Sequence, residues 1–233
     1  AHDVGLAARG GLQLVLFLLV TAEAVCTTVV APYPLLIATT WGAAILAAAL
    51  PARLIPVSGR SAIISGTLVA ALGYVVTAGL DAGTGQVSVR LVVGLGLGTA
   101  LRGIGDQFSQ WRGLLAIRPS HQAILSGCIV GPVLGGLLAA EVTNSAPYAL
   151  AAFIATAAVV IGRWLPSSPV STGPAARMFS LMLAIWLGGA AALLGQIPHP
   201  LAVLWPGWPV EALGGLLASL AAACLLTVLA VLT

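Results

Sequence analysis

The 233-residue sequence predicts an all-α integral membrane protein with about eight transmembrane helices. Composition is the first observation behind this expectation: 60% of the residues are hydrophobic, 6% are charged and the mean hydropathy is +1.10. A soluble domain carries about 25% charged residues, so this chain cannot cover a water-facing surface. The second observation is a series of apolar runs near the ~20 residues that a helix needs to cross a hydrocarbon core. The third lies inside one of those runs, where Gly127, Gly131 and Gly135 recur at every fourth residue and so share one helix face.

Eight runs qualify, at residues 12–31, 35–50, 62–80, 87–101, 122–140, 148–165, 178–194 and 210–232. The first follows Arg9 and has no small-residue cleavage site, so it is expected to stay in the mature protein rather than leave as a signal peptide. The second is short and starts just after Pro32 and Pro34, which predicts a tight hairpin with the first. The fourth carries Arg90 and then Gly94, Gly96 and Gly98. Between the fourth and fifth, residues 106–121 mix Phe108, Trp111 and an apolar patch with polar residues, the pattern of a short helix lying in the membrane interface. The fifth reads Gly127-Cys-Ile-Val-Gly131-Pro132-Val-Leu-Gly135-Gly136. Its glycine face leaves a groove for a second helix, and Pro132 removes one backbone hydrogen bond beside it. Residues 166–174 are Pro- and Ser-rich and read as a linker. Residues 197–209 hold four prolines with Trp205 and Trp208, which suits an aromatic anchor at a membrane surface.

The net charge of +3 comes from arginine alone, since there is no lysine. Spread over loops, so small an excess is no nucleic-acid footprint. It predicts topology instead, because basic residues collect in short cytoplasmic loops. With the N-terminus inside, Arg9, Arg53, Arg60, Arg102, Arg112, Arg118, Arg163 and Arg177 fall on the cytoplasmic side, and Arg90 is the exception. Asp81, Glu141 and Glu211 fall outside, and an eight-helix count puts the C-terminus inside as well. The Ala-, Gly- and Arg-rich composition is that of a GC-rich bacterial genome, so the expected location is the bacterial plasma (inner) membrane. Cys26, Cys128 and Cys224 stand alone in apolar runs and read as small buried residues rather than metal or disulfide chemistry.

The stretch from Gly127 to Gly136 resembles the fifth-helix "antiporter" motif of the major facilitator superfamily. Three more stretches are similar to that family in the same order. Arg53 and Gly59-Arg60 resemble its basic loop before the third helix, Arg90 with Gly94 and Gly96 its fourth-helix Arg-x-x-x-Gly-x-Gly, and Arg112 the basic residue ahead of the fifth helix. The resemblance covers roughly residues 11–165. It implies a six-helix bundle (residues 1–165) of two inverted three-helix repeats, then a cytoplasmic linker (166–177) and two additional helices (178–233). It also implies alternating access around a central cavity lined by the first and fourth helices. Three departures are plain: the loop before the third helix lacks the family's aspartate, Arg118 to His121 interrupt the expected start of the fifth helix, and only two helices follow the linker.

Two intramembrane charges carry the candidate chemistry. Glu23 sits near the middle of the predicted first helix with Thr27 one turn on, and Arg90 lies in the fourth. An ionisable residue at such depth marks a functional site by default. One reading makes Glu23 and Arg90 a cavity pair in which Glu23 takes up and releases a proton as the cavity alternates. The other makes them a static pair that neutralises two buried charges and sets helix register. Gly94, Gly96 and Gly98 follow no strand, so they read as helix packing rather than a nucleotide loop. His2, His121 and His199 fall in the tail or loops, and no Ser/His/Asp set, paired carboxylates or metal-ligand spacing occurs. The expected protein is therefore no enzyme and carries no cofactor and no metal. It is a proton-coupled antiporter of small organic solutes that needs a second copy or other membrane subunits. The alternative is a non-transporting accessory subunit that keeps the scaffold to bind partners in the bilayer.

Overall fold

The computed structural model describes residues 2–30, 33–50, 57–80, 84–109, 117–167 and 174–196. These form seven helices and, among the described residues, no strand. They are α1 (His2–Val30), α2 (Pro34–Ala49), α3 (Gly59–Ala78), α4 (Thr84–Ser109), α5 (Ile117–Glu141), α6 (Ala146–Gly162) and α7 (Pro174–Gln196). Four stretches are long and apolar enough to cross a membrane: Ala7–Thr27, Gly59–Ala78, Gly85–Ser109 and Gln122–Glu141. The apolar parts of α2, α6 and α7 are shorter. The expected eighth helix, Arg53, Arg112, Asp81, Glu211, His199, Trp205, Trp208 and Cys224 lie outside the described residues.

Helix starts follow local chemistry rather than hydropathy, and this shifts several boundaries. Ser58 caps α3 by accepting a bond from the Ser61 backbone N–H at 3.2 Å, which begins the helix ahead of its apolar run. Gly59 and Arg60 therefore belong to the first turn of α3 instead of a loop. Prolines open α2 and α6 at positions where the missing N–H has no intrahelical acceptor to lose. The same argument covers Pro119: α5 begins at Ile117 and runs through Arg118 and Pro119, so this segment starts the helix and does not interrupt it. The helix also continues unbroken through Pro132.

The largest departure from expectation is the length of α4, which extends to Ser109. The interfacial helix expected over residues 106–121 is divided, with 106–109 ending α4 and 117–121 starting α5. Arg102, expected in a cytoplasmic loop, is buried within α4 together with Asp106 and Gln107. Two glycines make this possible. Gly103 lies against the Gly59 carbonyl and Ile63 of α3, and Gly105 against Ser180 and Ala176 of α7, so both neighbours close on the end of α4. Gln107 Nε2 then donates to the Pro166 carbonyl at 2.9 Å, and the Phe108 and Phe179 rings meet at 5.3 Å.

Two parallel pairs form the frame. Gly127 and Gly131 of α5 lie against the Phe17 and Thr21 carbonyls of α1, at 3.0 and 2.9 Å from where a Cβ would stand. Gly94 and Gly98 of α4 lie in the same way against the Thr40 and Ala44 carbonyls of α2. In lipid, apolar side chains gain nothing by meeting one another, so close backbone approach and its dispersion and Cα–H···O contacts hold helices together. Gly135 and Gly136 are also buried. Antiparallel contact joins α3 to α4, where Gly66 and Gly96 face each other.

The five most extensive interfaces are α3 with α4, α1 with α5, α2 with α4, α3 with α6, and α1 with α6. Exchanging α1–α3 with α4–α6 in order maps this set onto itself. Helix α7 stands outside the scheme and packs on α2 and α4, with Gly188 against Trp41.

Replacing Gly94 or Gly131 with leucine should force the paired helices apart, at a cost of about 2 kcal/mol or more. Gly42, which is exposed on α2 with nothing near its missing Cβ, should accept alanine with a gain of up to ~1 kcal/mol. Thermal unfolding in detergent checks both outcomes; equal effects at the three positions would rule out backbone contact as the organising feature.

Candidate functional site

Glu23 lies about two turns before the end of α1 and Arg90 about two turns after the start of α4. Because α1 extends further at its N-terminal side than the apolar run, Glu23 is nearer the helix end than the expected midpoint. It therefore sits level with Arg90, and the two side chains meet. Arg90 Nη1 donates to Glu23 Oε1 at 3.3 Å and to Oε2 at 3.4 Å. Both residues are buried, at 1% exposure for Arg90 and 6% for Glu23.

Two tyrosines complete the cluster, and sequence reasoning missed both. Tyr74 of α3 is fully buried and its hydroxyl donates to Glu23 Oε2 at 2.7 Å. Tyr148 of α6 lies under the guanidinium, whose Cζ is 5.2 Å from the ring centroid, a cation–π arrangement. The available signal was residue type. Of the chain's three tyrosines, these two fall within apolar helices, where a buried phenol needs a polar partner. Like the helix contacts, the cluster maps onto itself under the exchange: Glu23 and Tyr74 come from α1 and α3, Arg90 and Tyr148 from α4 and α6.

Arg90 is incompletely bonded. Its Nε and Nη2 have no acceptor of good geometry among the described residues, although Cys26 and Tyr148 are near enough to feel its charge. Thr27, expected to extend a polar stripe from Glu23, instead donates to the Glu23 backbone carbonyl at 3.0 Å. Its hydroxyl bond thus goes to the helix and not to the carboxylate.

Glu23 and Thr27 border a cavity of about 20 Å3, room for roughly one water molecule. Its other walls are Val20 and Ala24 of α1, Trp41 of α2, Cys128 of α5, and Leu187 and Ala191 of α7. Arg90, Tyr74 and Tyr148 are not among the lining residues. The carboxylate is thus held by Arg90 and Tyr74, and Glu23 also contributes to the wall of this small, largely apolar space. Among the described residues no group of three or more His, Cys, Asp or Glu could hold a metal ion. No family model matches the chain, and no curated protein matches it significantly.

The pair should behave as a coupled unit. Removing one member strands a charge in the bundle, so Glu23→Gln or Arg90→Gln should each cost about 3–5 kcal/mol. Replacing both should cost clearly less than the two single losses together. Unfolding of the four chains in detergent gives the coupling, and additive losses would mean that the pair is not an energetic unit.

Proposed function

We propose that this chain is a proton-coupled membrane transport protein of the major facilitator type, with Glu23 as the proton-carrying group. The observation that carries the reading is a carboxylate buried inside an apolar bundle and paired across two helices, on a residue that also lines a small cavity. The self-mapping pattern of helix contacts supports the two inverted three-helix repeats that the resemblance implies, since an odd number of crossings inverts the second unit. The glycine contact of α5 with α1 supports the antiporter-like reading of Gly127 to Pro132. On this reading the chain spans the bacterial inner membrane about eight times, moves small organic solutes, and works with a second copy or another membrane subunit.

One observation favours the alternative of a non-transporting accessory subunit. The cavity beside Glu23 is far smaller than the ~300–1,000 Å3 of an organic ligand pocket, and α7 lies against its wall. Oligomeric state in the native membrane discriminates the two readings. A twofold pair sharing the Glu23 face favours transport, and a single copy among unrelated chains favours the accessory role.

In liposomes holding the full chain and a pH-sensitive dye, a panel of organic cations, anions and neutral solutes should include at least one that drives proton movement. Glu23→Gln should reduce that movement to the level of empty liposomes, and an undiminished signal would remove Glu23 from the mechanism. For topology, reporter fusions should place Asn144 outside the cell and Ser167 inside. The opposite result at either position would overturn the orientation.

A further inference from the structure

The three bonds to the Glu23 carboxylate are unequal. The short one comes from Tyr74, at 2.7 Å. Arg90 offers a single nitrogen to both oxygens at 3.3 and 3.4 Å, whereas a strong arginine–carboxylate fork uses two nitrogens at about 2.7–2.9 Å. The guanidinium is instead laid over the Tyr148 ring, with no acceptor of good geometry for Nε and Nη2 among the described residues. A buried pair kept only for its attraction needs good geometry and satisfied remaining donors, and this one has neither.

The arrangement does suit a carboxyl group that exists in two protonation states. A phenol hydroxyl donates to a carboxylate oxygen and equally to the carbonyl oxygen of a carboxylic acid, so Tyr74 keeps its bond in both states. An aromatic face favours a nearby cation whatever its counter-ion does, so Tyr148 retains Arg90 when Glu23 is neutral.

We propose that Tyr74 and Tyr148 are positioning residues for proton exchange at Glu23, Tyr74 orienting the carboxyl in both states and Tyr148 holding the Arg90 cation in the neutral one. This rests on the reading of Glu23 as the proton carrier. A proton passes from water to the carboxylate oxygen that Tyr74 leaves free, one O–H bond forming as another breaks, and it returns to water on release. The titratable groups facing the carboxyl are Arg90, Tyr74, Cys26 and Tyr148, with Cys128 on the cavity wall. Trp41, Leu187 and Ala191 bring no charge from α2 and α7.

Infrared difference spectra of the full chain in lipid, taken across a pH titration, test this. Wild type should show a carboxylic C=O band that Glu23→Gln abolishes. Tyr74→Phe should move that band to higher frequency, because the carbonyl loses its hydrogen bond. Tyr148→Leu should leave the band in place but displace its pH midpoint by about half a unit or more, and Tyr148→Phe, which keeps the ring, should restore it. Should Tyr74→Phe fail to fold, 3-fluorotyrosine at position 74 keeps the shape and should still shift the band. A band and midpoint unchanged by all these replacements would overturn the positioning roles while leaving Glu23 as proton carrier. Absence of any Glu23 band in wild type at every pH would remove the proton-carrier reading, and the positioning roles with it.

Discussion

The structure depends on close backbone approach between helices that lipid gives no other reason to associate. Helices α1 and α4 supply the paired charges Glu23 and Arg90, yet they have only a small direct interface. Each is fixed by other partners: α1 by the Gly127–Gly131 face of α5 and by α6, α4 by its own Gly94–Gly98 face on α2 and by α3. The charged side chains bridge the space that remains. A change of an ångström or two in either glycine contact would alter the level of Glu23 against Arg90, and a buried carboxylate left unpaired is costly. Packing and electrostatics are therefore one constraint in this bundle.

The exchange pattern gives that constraint a shape. Each set of three helices contributes one charge and one tyrosine to the cluster, and each tyrosine acts on the charge of its own set: Tyr74 on Glu23, Tyr148 on Arg90. The opposed charges then join the sets across the middle. The 3.3 Å contact of Arg90 with Glu23 is thus the ion pair that links the two sets. The symmetry is broken in chemistry, because a hydroxyl donates to an anion whereas an aromatic face attracts a cation. It is broken again by α7, which packs beside α2 and α4 with no equivalent over α5 and α1 among the described residues.

Much of this was legible in the sequence, for identifiable reasons. Helix existence followed from hydropathy, which the bilayer makes decisive. The glycine face of α5 was readable because spacing alone puts Gly127 and Gly131 together, and Glu23 and Arg90 stood out as rare charges in apolar runs. Tyr74 and Tyr148 were not legible, because their partners are 51 residues away for Tyr74 and on another helix for Tyr148. No local periodicity encodes such meetings. The end of α4 was misjudged because Arg102 and Asp106 look like loop residues until Gly103 and Gly105 are seen to admit α3 and α7. Pro119 looked like a helix breaker because the sequence does not announce that it falls in a first turn.

The cavity beside Glu23 is bounded on one side by α7. Its volume of about 20 Å3 is far below that of an organic ligand pocket. The wall contributed by Leu187 and Ala191 belongs to α7, which is held on α2 through Gly188 and Trp41 and on α4 through Ser180 and Gly105. These contacts are small-residue contacts like those of the frame, but they lie on one side only. Any enlargement of this space on the α7 side requires Leu187 and Ala191 to withdraw from Trp41 and α1, and the Trp41–Gly188 contact resists that because the missing side chain at 188 lets the two helices meet so closely.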